Sequence, residues 1–499
     1  MVSKDFTKEY NSLNDKQKEA VNHIDGPVMV LAGPGTGKTQ LIALRAANIL
    51  QKTDVLPQNI CCLTYTEVGA RNMRKRLSSL IGQQAYDIKI STYHGFGSEL
   101  IRQHKEYFTD IKDDKPLDRM GQIKLLKKIY ESIPTSNPLW REEVYLRSSI
   151  ELISEAKKSL LTPEDIKKVA SKNLEFVKKA SALSKKIPSF KRMGKEQVPH
   201  FKQLLAELVK LKDEPVIVSN IYPLRDLMIF DLTSALEEYE IINKTTPLTK
   251  FKDKWLEKND DNLLVLKGII ENNKIIGVAD IYKEYQNQLQ VEGFYDYDDM
   301  INRAIDALEK FPGFKLDVQE KYQYLMLDEF QDTNRSQLKL VELLTDSPSN
   351  NGLPNVLAVG DDDQAIFSFQ GAELGNMIEF TRLYKEIKLI NLENNYRSHQ
   401  NILSTAYNVA NTIDERLSNK LNLPKKSLKA SNLAIKNSQI LRGITFPQDE
   451  ILSHCNGNIP YLLYPGKEAV DCKNLPLNEN STIIVIDGTW IEARKIVHR

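Results

Sequence analysis

Residues 32–39 read Ala32-Gly33-Pro34-Gly35-Thr36-Gly37-Lys38-Thr39, a run in which glycines alternate with small residues and end on a lysine and a hydroxyl. Glycine adopts backbone conformations that turn successive N–H groups inward, and such a nest holds phosphate oxygens. Here Gly33, Pro34, Gly35, Thr36 and Gly37 would form the cradle. Lys38 would reach the β- and γ-phosphates of ATP, and the Thr39 hydroxyl would ligate Mg²⁺. The strict form of the pattern has glycine where Ala32 stands. Far downstream, the apolar Leu325-Met326-Leu327 runs into Asp328-Glu329. At the carboxyl end of a parallel strand such a pair faces a nucleotide, so Asp328 would hold Mg²⁺ and Glu329 would polarise the attacking water. Together the two groups are the chemistry of nucleoside triphosphate hydrolysis.

Both groups need a scaffold that brings strand ends together. Apolar runs at 28–32 and 60–63, with a further strand at 88–90, alternate with helical spacing at 39–50 and 70–81. That alternation predicts an α/β fold with a parallel sheet covered by helices. From about 107 to 290 the texture changes to Lys- and Glu-rich helical periodicity, as at 122–132 and 148–161, which reads as a large helical insertion. Strand-like runs return at 324–327, 356–360 and 387–390, so the sheet is expected to resume there. The expected organisation is a split P-loop domain at 1–106 and 291–410, the insertion at 107–290, a linker at 411–430 containing Pro424, and a small partial α/β segment at 431–499 with an apolar run at 482–486.

With 499 residues, 41% hydrophobic and 27% charged, the chain has the make-up of an ordinary globular protein of two to four domains. No apolar run reaches the length of a membrane span, so no membrane partner is expected. The first ten residues are polar and lack the apolar core of a secretory signal. Cys61, Cys62, Cys455 and Cys472 fit neither a zinc cluster nor a disulfide framework, which points to a reducing, cytoplasmic location. The net charge of +1 neither requires nor excludes nucleic acid, because binding it needs only a local basic groove.

Extended to Asp328-Glu329-Phe330-Gln331-Asp332 and taken with the cradle, the acidic segment resembles superfamily 1 DNA helicases of the UvrD/Rep type, which have a RecA-like P-loop fold. Further segments match in order over residues 5–405. Leu13-Asn14-Asp15-Lys16-Gln17 is similar to the family's glutamine motif, in which Gln17 would read the adenine edge. Thr64-Tyr65-Thr66, continuing through Met73, Arg76 and Leu77, and then Thr92-Tyr93-His94-Gly95-Phe96 resemble motifs that contact single-stranded DNA, which implies Thr64, Tyr65, Thr66, Thr92 and His94 as strand contacts. Phe294-Tyr295-Asp296-Tyr297-Asp298-Asp299-Met300 resembles the segment that precedes the acidic pair. The stretch from Val359-Gly360-Asp361 through Gln364 to Ala372 resembles the coupling motif. In it Gln364 would sense the γ-phosphate, while Phe367 and Phe369 would stack on bases, each for about 1–3 kcal/mol. Asn394-Asn395-Tyr396-Arg397-Ser398 resembles the motif in which Tyr396 stacks on adenine and Arg397 neutralises transition-state charge. Arg71, Arg74 and Arg76 are further candidates for phosphate contact, and Glu67 and Val68 depart from the polar and basic residues usual there.

The resemblance implies an ATP-dependent 3′-to-5′ helicase or translocase on single-stranded DNA. The family's later motifs, those of a second motor lobe, have no counterpart. The expectation is therefore an incomplete motor that binds nucleotide, hydrolyses it poorly and does not step, or a nucleotide-dependent DNA-binding remnant. From about residue 431 the texture is different. Asn437 to Gly443, Leu463 to Ala469 and Asp487-Gly488-Thr489-Trp490 resemble part of a DTW domain. That family contains tRNA-uridine aminocarboxypropyltransferases, which implies S-adenosylmethionine and tRNA as ligands, with Asp487 and Trp490 as the candidate site.

Overall fold

The computed structural model describes residues 4–112, 115–141, 143–188, 190, 192–211, 224–347, 352–361, 374–384, 386–410, 427–431, 459–463 and 481–485. Its strands in chain order are Val28–Ala32 (β1), Ile60–Thr64 (β2), Lys89–Thr92 (β3), Leu256–Lys258 (β4), Leu264–Leu266 (β5), Tyr324–Leu327 (β6), Val356–Gly360 (β7), Lys388–Leu392 (β8), Asn394–Asn395 (β9), Lys429–Ala430 (β10), Ile459–Leu463 (β11) and Ser481–Val485 (β12). The chain forms two compact units. The first comprises Met1–Tyr93, Leu316–Thr333 and Leu344–Arg499, and the second His94–Lys315 and Asn334–Leu343.

The first unit is built on a six-stranded sheet of order β3-β2-β6-β7-β1-β8, parallel at every pairing. Every residue of β1, β2, β6 and β7 is buried. Strands covered on both faces must be apolar throughout, which is why they read as continuous runs without alternation. The observed β3 and β8 sit one or two residues later than their apolar cores suggest, because pairing sets their ends: Lys388 is in register with Val28 and Leu392 with Ala32. β6 and β1 are separated only by β7, so their carboxyl ends lie two strand spacings apart, about 10 Å. Two residue groups separated by almost 300 positions thereby reach one another.

Helix Lys38–Lys52 follows β1 and buries Leu41, Ile42, Leu44, Ala46, Ala47 and Ile49 against the sheet core. It also buries Arg45, whose guanidinium donates to the carbonyls of Ala20, His23 and Ile24 at the end of helix Asp15–Asn22. That end would otherwise carry unpaired carbonyls.

The second unit is mainly helical and has its own apolar clusters. One gathers Leu125, Ile129, Ile150, Ile153, Ile281 and Leu289, and another Val177, Phe201, Leu204, Leu232 and Phe251. It contains the antiparallel hairpin β4/β5, whose three-residue strands are too short to show alternation in sequence. Lys157, 1% exposed, is held by Asp296 and Asp299 at 2.7 Å each, and Tyr285 donates to Asp296 at 3.1 Å. The two nearby carboxylates more than offset desolvation and raise the Lys157 pKa. In the C-terminal segment, β11 and β12 pair in parallel, with Ile459 opposite Ser481 and Leu463 opposite Val485.

Candidate active site

The loop between β1 and helix Lys38–Lys52 is a left-handed cradle. Gly35 has φ +71° and Gly37 φ +88°, values that side-chain-bearing residues rarely adopt. Gly35 is also crowded: a Cβ there would lie 2.7 Å from the Arg397 Cβ and 2.7 Å from Asn395 Nδ2. Thr36 is fully buried and its hydroxyl donates to the Gly33 carbonyl at 2.7 Å, which closes the loop on itself. Gly37 is the N-cap of the helix and provides no side-chain cap, so the first N–H groups of a 15-residue helix remain available to an anion.

Two segments buttress the cradle. Gln17 donates from Nε2 to the Thr36 carbonyl at 2.9 Å, while its Oε1 accepts from the Asn14 N–H at 3.0 Å. Asn14 completes a reciprocal capping box by accepting from the Gln17 N–H at 2.9 Å, and its Nδ2 donates to the Tyr396 hydroxyl at 2.8 Å. From the other side, the Tyr396 N–H donates to the Gly35 carbonyl at 2.9 Å. Asn395, fully buried, donates to the Pro34 carbonyl and accepts from the N–H groups of Arg397 and Ser398 at 2.8 and 2.7 Å. Tyr396 is thereby fixed at backbone and hydroxyl, and the residue is 41% exposed.

Lys38 Nζ donates to Glu329 Oε2 at 2.6 Å, so the glycine loop and the acidic pair meet in one site. The Asp328 N–H donates to the Leu63 carbonyl at 2.9 Å, and the Asp328 carboxylate accepts from the Glu329 N–H at 3.0 Å. Glu329 has φ +49°, a turn that directs the chain off the strand at once. Burial, reinforced by the charge of Glu329 and opposed by Lys38, pushes Asp328 up to about 6. Burial and Glu329 likewise push Asp332 up to about 6. For Glu329, burial works upward too, but Lys38, the Gln331 amide and Arg397 outweigh it and hold the carboxyl below its ordinary value. Asp332 Oδ1 is buried without a hydrogen-bond partner among the described residues. Two desolvated acids, one of them with an orphaned carboxylate oxygen, suit a small hard cation, which takes oxygen ligands. Among the described residues no group of three His, Cys, Asp or Glu forms a complete metal cage. Mg²⁺ needs none, because it keeps waters and phosphate oxygens as ligands.

The expected strand contacts fall into three situations. Thr64 and Thr92 are paired across β2 and β3 and are buried, and the Thr92 hydroxyl donates to Glu67 at 3.0 Å. Tyr65 is half-buried, and Thr66 caps helix Glu67–Ile81 by accepting from the Gly69 N–H at 2.9 Å. His94 belongs to the helical unit, where its ring stacks on Tyr297 with centroids 4.1 Å apart. Of the three arginines, Arg71 and Arg76 are exposed, whereas Arg74 serves a structural purpose, donating to the carbonyls of Ala85 and Ile90 at 3.1 and 3.2 Å. Gln364, Phe367, Phe369, Asp487 and Trp490 lie outside the described residues. Sequence reasoning gave no role to Asn14, Asn395 or Lys157. Only Asn14 carries a readable signal, a capping residue with glutamine three positions on.

A six-stranded parallel sheet with a phosphate-type loop after β1 and an acidic pair after β6 is the RecA-like class of α/β fold. The model of the UvrD/REP helicase N-terminal domain matches residues 13–229 and 229–385, and the chain belongs to that family. Proteins named ATP-dependent DNA helicase PcrA are similar to it. The one from Staphylococcus epidermidis is 27% identical over 405 residues, 81% of this chain and 41% of the relative. The one from Leuconostoc citreum is 26% identical over 412 residues, 82% and 40% respectively. The one from Staphylococcus aureus is 26% identical over 406 residues. The chain thus spans about 41% of the length of the curated relatives it matches.

Proposed function

We propose that the chain binds Mg-ATP and hydrolyses it in an ATP-dependent DNA helicase or translocase reaction coupled to single-stranded DNA. The observation that carries this reading is the 2.6 Å contact between Lys38 and Glu329, which joins loop and acid pair in one site. In the proposed division of labour, backbone N–H groups of Gly33 and of residues 35–38 hold the phosphates, and Lys38 exchanges its carboxylate partner for phosphate oxygens. The residues that would hold Mg²⁺ are Thr39 and Asp328. The ion, when bound, neutralises charge developing on the phosphates. Glu329, kept ionised by Lys38 and the Gln331 amide, accepts the proton of the attacking water. Arg397, close enough to stabilise the Glu329 charge, stands by the same site as the transition-state cation, and Tyr396 and Gln17 receive the adenine, Gln17 by exchanging its Thr36 and Asn14 partners for the base edge. Gln364 as γ-phosphate sensor, and Thr64, Tyr65, Thr66, Thr92, His94, Phe367 and Phe369 as strand contacts, complete the proposal, as does 3′-to-5′ polarity, which rests on the resemblance. So does the assignment of 1–106 and 291–410 to the motor and 107–290 to the insertion.

The test is steady-state ATP hydrolysis with and without single-stranded DNA. DNA-stimulated turnover of about 1 s⁻¹ or more that falls to a small residual rate in Glu329→Gln supports the motor. Nucleotide-dependent DNA binding without turnover favours the second reading, a binding module. A separate proposal covers S-adenosylmethionine and tRNA at the C-terminal segment. It rests on the sequence likeness at 487–490, and calorimetric titration that gives no S-adenosylmethionine binding would remove it.

A further inference from the structure

Gln331 is 2% exposed and sits two residues beyond Glu329, in the short 3₁₀ turn Phe330–Asp332. Its amide is used at both ends. Nε2 donates to Glu329 Oε2 at 2.9 Å and, more weakly, to Asp332 Oδ2 at 3.3 Å, while Oε1 accepts from the Asp361 N–H at 2.9 Å. Asp361, 1% exposed, follows β7 directly, and β7 lies between the strands that carry the loop and the acidic pair. The fit is close: a Cβ on Gly360 would lie 3.0 Å from Gln331 Oε1 and 3.2 Å from its backbone nitrogen. Glu329 Oε2 therefore has two donors, Lys38 Nζ and Gln331 Nε2. A lysine that moves to a phosphate leaves the amide as the partner that keeps the carboxylate oriented. An amide suits this post. It gives a directional hydrogen bond and no charge, so it neither competes for the phosphates nor neutralises the base.

We propose that Gln331 is a positioning residue for Glu329, holding its carboxylate in the water-activating orientation against the tip of β7 once Lys38 turns to the nucleotide. This inference rests on the hydrolytic reading above. Displacing a reacting group by about 1 Å is enough for a loss of about 100-fold in rate, and the ground-state grip on nucleotide does not involve this amide.

Two substitutions of the full chain separate the ends of the amide. Gln331→Glu, assayed at a pH high enough to ionise it among the neighbouring carboxylates, keeps an acceptor for the Asp361 N–H but cannot donate to Glu329, and Gln331→Met removes both contacts. Both are expected to lower kcat for ATP about 100-fold with KM and the affinity for a fluorescent ATP analogue unchanged. In a Glu329→Gln background, Gln331→Met is expected to cause no further loss, since groups that act as a unit are not additive. Gly360→Ala, which crowds the amide without altering its chemistry, should lower kcat in the same way. If Gln331→Glu retains wild-type kcat, or if the Gln331→Met loss persists in full in the Glu329→Gln background, the positioning role is overturned while the hydrolytic reading stands. A wild-type chain that binds the analogue and shows no turnover with DNA removes the hydrolytic reading, and this inference with it.

Discussion

His94 shows how strongly surroundings set a side chain's chemistry. Burial, with a smaller contribution from the Lys158 charge, pushes its imidazole down to about 4. It is therefore neutral near pH 7 and presents a flat, uncharged ring to Tyr297. The consequence for stability has a definite sign. Between about 6.5, the ordinary value, and about 4, the unfolded chain binds a proton that the folded chain refuses, so stability falls as pH falls through that window. Chemical denaturation across the window should show a steeper decline for wild type than for His94→Gln, with the two curves parallel above about pH 7. Parallel curves from pH 4 upward would mean that His94 is accessible to protons in the folded state.

Helices and strands carry the site through a few buried polar fixings. Arg45 ties helix Lys38–Lys52 to the end of helix Asp15–Asn22, and the latter presents Gln17 to the cradle. Arg45→Met leaves buried carbonyls unpaired, and each orphaned acceptor costs about 1–3 kcal/mol. The expected outcome is a lower denaturant midpoint together with weaker nucleotide affinity; a lower midpoint with affinity intact would mean that Gln17 is positioned by something else. Fixings of this kind set the limit of what can be read before folding. β1, β6 and β7 are legible because strands buried on both faces must be apolar from end to end. The glycine loop and the acidic pair are legible because local chemistry dictates their residue types. The reach of Asn395 to the Pro34 carbonyl and the approach of Lys157 to Asp296 are not, since each joins residues far apart in sequence through contacts that no periodicity encodes. Arg74 illustrates the converse. Its place on a basic helix suggests phosphate, and its carbonyl partners emerge only when the 82–90 segment folds beneath it.

At the scale of the whole chain, the sheet unit and the helical unit have separate apolar cores. The helical unit depends on a buried charge cluster, Lys157 between Asp296 and Asp299, where removing one partner strands the others and costs about 3–5 kcal/mol. Lys157→Met is expected to lower one thermal transition while an ATP analogue still binds and raises the other; a single transition sensitive to both would show that the units unfold as one. Among the described residues no helix is long and apolar enough to cross a membrane. The proposed nucleotide site is assembled from the loop after β1 and the acids after β6. Titration of a fluorescent Mg-ATP analogue into wild type, Lys38→Ala and Glu329→Gln tests it most directly. The expected result is binding by wild type and Glu329→Gln and at least a tenfold weaker Kd for Lys38→Ala, about 1.4 kcal/mol. Equal affinity in wild type and Lys38→Ala would contradict it.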